Sequence, residues 1–444
     1  MSPPPLALAD AIVDGRVTRR DVPSAPIRTG AAGSFLRKLL AVSGPGYLVA
    51  VGYMDPGNWA TGIAAGSAFG YRLLWVIVAA NLLAMFLQHL AAKLGIVTGL
   101  DLAQACRARY SRPARLGLWL LCETAIVACE LAEVLGAAIA LKLLFGIPLV
   151  FGVVLTSLQV LLVLALQGSG LRRLEVLVIA TMAGIGLCFG AELLMSQPAL
   201  AGVARGLIPG AGIVSNPQML YLAIGILGAT VMPHNLYLHS AAVRRSAPKT
   251  DAKIRESVRF ATFDVAIALV FALFVNAAIL ILAASSFNVN GLREVVSLED
   301  AYSLLTPTLG ASLASTLFAA ALLASGQNSS LTGAVAGQIV MEGFTDLRLR
   351  PWVRRLGSRL LAVVPAVIAV AYFGENSATR LLIFSQVILS LQLPFAVVPL
   401  IRLTGDRRLM GVHVNPAWAG ITAWLIVAAI MGMNAWLLVQ LAIS

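Results

Sequence analysis

The chain has 444 residues, 59% of them hydrophobic and only 12% charged, about half the charged fraction of a soluble globular domain. That balance excludes a soluble fold and asks for an apolar solvent along most of the length. The net charge of +12 would suit a nucleic-acid partner only if it were gathered on one binding face; its placement carries topology instead.

The first 39 residues, beginning SPPPLALAD, are rich in Pro, Ala and Arg and lack the features of a signal peptide. They read as a disordered cytoplasmic tail ahead of a membrane domain covering 40–444. Apolar stretches of the ~20 residues needed to cross a ~30 Å hydrocarbon layer then recur. Eleven spans are predicted, at 40–69, 72–97, 114–141, 149–167, 174–196, 217–244, 257–287, 311–343, 357–373, 380–402 and 416–442. Of the 32 basic residues, 27 fall in the tail or around the loops after spans 2, 4, 6, 8 and 10. Only Arg72, Lys142, Arg205, Arg293 and Arg380 fall on the other side. By the positive-inside rule the N-terminus is cytoplasmic and the C-terminus extracytoplasmic.

Span 1 is interrupted. GYMDPGNWATG places Asp55, Pro56, Gly57 and Asn58 at membrane depth, a carboxylate and an amide around two helix breakers. Span 3, in CETAIVACELAEVLG, carries Glu123, Glu130 and Glu133 inside an apolar helix. At 100° per residue Glu123 and Glu130 differ by about 20° and Glu133 lies about 80° away, so all three can share a face turned into the bundle. The four cysteines, Cys106, Cys122, Cys129 and Cys188, have no CxxC spacing and read as packing residues.

Span 6 repeats the interruption. YLAIGILGATVMPHNLYLHS is apolar to Val231 and then inserts Met232, Pro233, His234 and Asn235. The residue before each proline is pushed out of helical geometry, and backbone groups freed at membrane depth must be buried in protein or line a polar cavity. Spans 1 and 6 each open a group of five helices, about 40–196 and 217–402, with helix 11 at 416–442. An odd number per group inverts the second group, and matched breaks in inverted halves point to a transport site at the bilayer midplane. The available groups all accept a cation: the Asp55 carboxylate, the Asn58 amide oxygen, the Met232 sulfur and the Ala229 carbonyl, one turn before Pro233. That set suits a divalent transition metal such as Mn²⁺ or Fe²⁺ better than Mg²⁺. Buried carboxylates on span 3, and His234, are candidates to move protons.

DPGN in span 1, MPH in span 6 and eleven helices together resemble the Nramp family of proton-coupled divalent metal transporters. The resemblance covers about 400 residues, spans 1 to 11. It implies an all-α polytopic membrane protein with the leucine-transporter-like fold, a five-plus-five inverted repeat with helices 1 and 6 broken. It implies import of Mn²⁺, Fe²⁺ and also Cd²⁺ across the cell membrane, coupled to protons by alternating access. Asp55, Asn58, Ala229 and Met232 would be the metal ligands, and Gln386 in IFSQVILS of span 10 would join them in some conformations. An acidic pair on span 3 and the MPH histidine are linked to proton transport in the family; Glu130 departs from it, since Asp is commoner there. The metal is cargo, and no resident cofactor is expected.

Other readings compete residue by residue. Asp55 caps a half-helix, Met232 fills a core, His234 is a satisfied histidine, and the span 3 glutamates pair with bundle arginines. His239 is open between relay and packing, His89 reads as packing, and His413 lies in a basic loop. Asp264 reads as an interfacial or structural charge, and Gln327 and Asn328 of ASGQNSSLTG line a pathway or bond neighbouring helices. A sodium-coupled amino-acid transporter shares the architecture, but Asp55 would repel its anionic substrate group. A passive divalent cation channel lacks only the coupling. With no zinc motif, nucleophile elbow or phosphate loop, an enzyme is not expected.

Overall fold

A computed structural model of the chain describes residues 45–157, 171–244, 250–293, 295, 297–309, 313–347, 350–374 and 377–443. The predicted tail 1–39 and most of span 4 lie outside them. Among the described residues all regular structure is helical, and seven helical runs are long and apolar enough to cross a membrane. The eleven predicted spans do not appear as eleven separate runs among the described residues. Spans 1 and 2 run together as Pro56–Thr98 through a short 3-10 turn, because Gly70 with φ 60° lets the chain reverse without leaving helical hydrogen bonding. Span 8 is the helix Ala314–Thr345, which carries a polar run from Gln327 to Ser330, and the apolar part of span 9 is a shorter helix, Leu356–Tyr372.

Both predicted breaks are present. Span 1 divides into Pro45–Ala50, a 3-10 turn Val51–Met54, and Pro56–Phe69; span 6 divides into Pro217–Thr230 and Pro233–Ala242. Each second half starts with proline at its first turn, where the missing N–H costs nothing. Asp55 caps the first of these, its side chain accepting from the Asn58 N–H.

Span 3 (Arg112–Phe145) packs against spans 8, 9 and 10, while span 7 (Asp251–Ala283) packs against span 2 and both halves of span 1. The second half of span 1 is held by Trp59, whose ring meets Phe189 of span 5 at 4.6 Å and Phe318 of span 8 at 5.2 Å. Asp264 proves structural: its carboxylate accepts from the Gly46 N–H at 2.7 Å, holding the start of span 1 against span 7. All four cysteines are free thiols.

Ion pairs sort the loops onto two ends. Arg244 after span 6 meets Asp101 after span 2 at 3.1 Å, Arg107 meets Asp346 after span 8 at 3.0 Å, and Arg109 meets Asp406 after span 10 at 3.9 Å. Lys142 in the last turn of span 3 and Glu299 in the short helix Leu298–Leu309 after span 7 meet at 3.8 Å. Gly202 and Gly206, after span 5, pack on Tyr71, after span 1. Even loops therefore join even loops and odd join odd, the alternation that a chain threading a membrane requires.

Candidate metal site

The site grows from the two interruptions. In a continuous helix the Ala229 carbonyl would accept from the residue four places on, which is Pro233 and has no N–H. The Asn58 side chain takes that carbonyl instead, at 3.0 Å. The same Asn58 Nδ2 donates to Asp55 Oδ1 at 2.8 Å, and the Asn58 backbone N–H reaches Asp55 Oδ1 at 2.9 Å. A carboxylate from one broken helix and a freed carbonyl from the other thus converge within 3.0 Å of one nitrogen. The amide donor stands where a cation would be attracted. Turning that amide over presents Asn58 Oδ1 to the same point, changing a donor into a third oxygen ligand.

The electrostatics agree. Asp55 is fully buried, its second oxygen has no hydrogen-bond partner, and among the described residues it has no ion pair. An uncompensated buried charge costs several kcal/mol, roughly, and is sustained by a proton or a cation. Gln386 lies against the same turn. A Cβ on Gly57 would sit 2.0 Å from Gln386 Nε2, so the glycine leaves room for that amide, whose Oε1 is buried without a partner. Met232 is fully buried in a small cluster with Ala125, Cys129 and Leu389, and its sulfur accepts from Asn235 Nδ2 at 3.6 Å. Packing therefore accounts for part of its environment. The structure directly joins Asp55, Asn58 and Ala229, and seats Gln386 on the adjoining Gly57.

The carbonyls freed in span 1 have protein partners. Asn276 Nδ2 of span 7 donates to the Tyr53 carbonyl at 2.8 Å. The Met54 carbonyl accepts from Ser325 Oγ of span 8 and from Trp59 Nε1 at 3.3 Å. Asn276 was not singled out from the sequence, although a lone amide in the middle of a long apolar helix is a signal.

The span 3 glutamates meet span 9. Glu123 accepts from Arg354 Nη2 at 3.1 and 3.2 Å, Glu130 Oε1 accepts from Ser358 at 2.8 Å, and Glu133 Oε2 faces Arg359 Nη1 at 3.8 Å. Cys129 Sγ donates to Glu133 Oε1 at 3.5 Å. Arg354 and Arg359 read from sequence as topology charges; both are buried, 6% and 5% exposed, and form a polar seam with span 3. Arg359 falls inside predicted span 9, a signal that a count of charges by loop passes over. His234 is buried with Nδ1 unpartnered. His239 Nδ1 meets Gln88 Oε1 at 2.9 Å, and Gln88 Nε2 donates to the Tyr53 hydroxyl at 2.8 Å. His89 packs on Thr262 at 2.7 Å.

A family model described as natural resistance-associated macrophage protein-like matches residues 46–440. The chain belongs to the Nramp family. This Nramp chain is 57% identical over 415 residues to the divalent metal cation transporter MntH of Nostoc sp., covering 93% of this chain and 94% of that one. It is similar in structure to the Eremococcus coleocola manganese transporter crystallised with an aromatic bis-isothiourea compound, with a TM-score of 0.84, 44% identity, and 93% and 88% of the two chains covered. MhsT in complex with L-phenylalanine, 16% identical with a TM-score of 0.60 over 89% of this chain and 97% of that one, shares the fold alone. The architecture of this Nramp chain is the leucine-transporter-like fold.

Proposed function

We propose that this chain is a secondary active transporter that imports divalent transition metal ions, Mn²⁺ and Fe²⁺ and also Cd²⁺, across the cell membrane in symport with protons. The observation that carries the reading is the convergence of Asp55 Oδ1 and the Ala229 carbonyl on one point, at 2.8 and 3.0 Å from the Asn58 amide nitrogen. A dehydrating cation gains a full charge and two neutral oxygens there, with the Met232 sulfur and Gln386 as further ligands. The metal is cargo, and the protein needs no resident cofactor. Even-numbered loops with their excess of arginine face the cytoplasm, which puts the C-terminus outside. Uptake of Mn²⁺ into proteoliposomes tests the proposal: accumulation above the external concentration, driven by an imposed proton gradient, is the expected result. Equilibration without accumulation would make the protein a channel.

Protons leave the site along span 3, from Asp55 and His234 toward Glu133, Glu130 and Glu123, with Arg359, Ser358 and Arg354 holding the carboxylates in register. Glu130→Gln keeps a hydrogen-bonding partner for Ser358 and removes the exchangeable charge. Metal binding is expected to persist while metal-driven acidification of the liposome lumen slows or uncouples from uptake. A wild-type ratio of protons to metal, followed with an internal pH dye, would take Glu130 off the route.

Met232 sets selectivity in this scheme. A thioether adds little for hard Ca²⁺ or Mg²⁺ and more for Mn²⁺, Fe²⁺ and Cd²⁺. Met232→Ala is expected to leave Mn²⁺ uptake measurable, to depress Cd²⁺ uptake more, and to let millimolar Ca²⁺ compete. A loss of ~1.4 kcal/mol of differential binding changes the ratio tenfold. Equal exclusion of Ca²⁺ by wild type and variant would reduce the sulfur to its packing role.

A further inference from the structure

Away from the metal site, a cavity of about 440 Å³ opens at the end of the bundle that carries the basic loops. It lies between the last turns of span 2, the first turns of span 7 and the loop leading to span 11. Its wall presents His89, Lys93, Arg255, Arg259 and His413, and no carboxylate lines it. His413 has an acidic neighbour, Asp251, at 3.3 Å. Lys93 is 8% exposed and donates to Asn415 Oδ1 at 2.7 Å, so one positive charge is fixed deep in the wall. Arg255 and Arg259 are exposed at its mouth, and the Arg259 guanidinium lies 5.7 Å from the Phe263 ring centroid.

The second observation is on span 7 itself. Phe263, Ile267, Val270 and Phe274 are 41%, 45%, 56% and 45% exposed, and Phe263 also lines the cavity. At 100° per residue these positions fall within about 60° of the helix circumference. They form one apolar stripe that starts at the cavity and runs away from the loops toward the membrane centre.

We propose that this cavity binds the phosphate headgroup of an anionic phospholipid of the inner leaflet, with an acyl chain along the span 7 stripe. Basic pockets between helix ends on the cytoplasmic side recognise phosphate headgroups by charge and hydrogen bonding. A soluble phosphate would use the three cationic side chains, Lys93, Arg255 and Arg259, and leave the stripe unused; a phospholipid uses both. The bound lipid joins spans 2 and 7 to the loop before span 11, beside the Lys93–Asn415 hydrogen bond.

The test is native mass spectrometry of the purified full chain in detergent, given equimolar dioleoyl phosphatidylglycerol and dioleoyl phosphatidylcholine. Wild type is expected to retain the anionic phosphatidylglycerol several-fold in preference. Arg255→Ala and Arg259→Ala are expected to lower that retention about fivefold each, since each removes one surface cation. Ile267→Ser with Val270→Ser, which leaves the charge unchanged, is expected to lower it as well. Arg72→Ala with Arg205→Ala, at the other end of the molecule, is expected to leave it unchanged. Equal retention of the two lipids, or wild-type retention by the arginine variants, overturns the proposal. So does an equal loss in the Arg72 and Arg205 variant, which would reduce the effect to net charge. Displacement of the lipid by millimolar inorganic phosphate would assign the cavity to a soluble anion instead.

Discussion

Asp55→Ala is expected to abolish saturable Mn²⁺ uptake in proteoliposomes and to leave a folded protein. Asp55 has two roles in the structure, a cap for the Asn58 N–H and a buried negative charge without an ion pair. Losing an N-cap costs about 1 kcal/mol. Removing an uncompensated buried carboxylate offsets that loss, so the fold should tolerate the change. Binding has no such offset, because in the proposed ligand set the carboxylate supplies the full charge and the rest are dipoles and a thioether. Asp55→Asn separates the two roles, since Asn caps as well as Asp does. It should keep the thermal stability of wild type and still fail to transport. Asn58→Ala should weaken binding less, because water can replace a neutral ligand. Isothermal titration showing wild-type Mn²⁺ affinity in Asp55→Asn would remove the carboxylate from the site.

Gly228→Ala is expected to have the second-largest effect, on the fold and through it on the site. A Cβ there would lie 1.9 Å from the Gln386 carbonyl oxygen and 2.8 Å from the Ser390 backbone nitrogen. Both are backbone atoms of span 10, so no side chain can rotate away. The first half of span 6 and span 10 must then separate, which costs about 3 kcal/mol on the usual scale of overpacking. The separation displaces Ala229, the next residue, from Gln386, so uptake should fall with stability. Thermal unfolding in detergent measures the first and Mn²⁺ uptake the second. Gly190→Ala is the control: no heavy atom lies within 4 Å of the added methyl, and helix propensity favours alanine. Equal melting temperatures for the two variants would mean that the close approach of spans 6 and 10 is not a constraint.

The fold was legible because its signals are large. Two prolines at membrane depth, half a chain apart, forced two helix breaks, and both appear within a residue or two of Pro56 and Pro233. Loop charge carried the threading, which the ion pairs between even-numbered loops reproduce. The convergence of Asp55, Asn58 and the Ala229 carbonyl followed from elementary chemistry: a missing N–H frees one particular carbonyl, and a buried carboxylate needs a proton, a donor or a cation. The partners from other helices were harder to read. Nothing in the local sequence says that Ser325 reaches the Met54 carbonyl, because that bond depends on how spans 1 and 8 cross. Arg354 and Arg359 were hidden for a different reason. A count of basic residues by loop treats every arginine alike, whereas these two turn inward and meet carboxylates on span 3, far away in sequence.

The two tethers on the break in span 1 come from different neighbours, and that asymmetry has a mechanical meaning. Asn276 holds the Tyr53 carbonyl from span 7, which packs along both halves of span 1, so this bond travels with the break. Ser325 holds the adjacent Met54 carbonyl from span 8, which packs chiefly on span 3, so this bond ties the break to a different group of helices. The Met54 carbonyl also accepts from the Trp59 indole N–H, so it would keep a partner within its own span were spans 1 and 8 to part. The last carbonyl before Asp55 is therefore satisfied twice, once by a hydroxyl from a neighbouring span and once by an indole from within span 1.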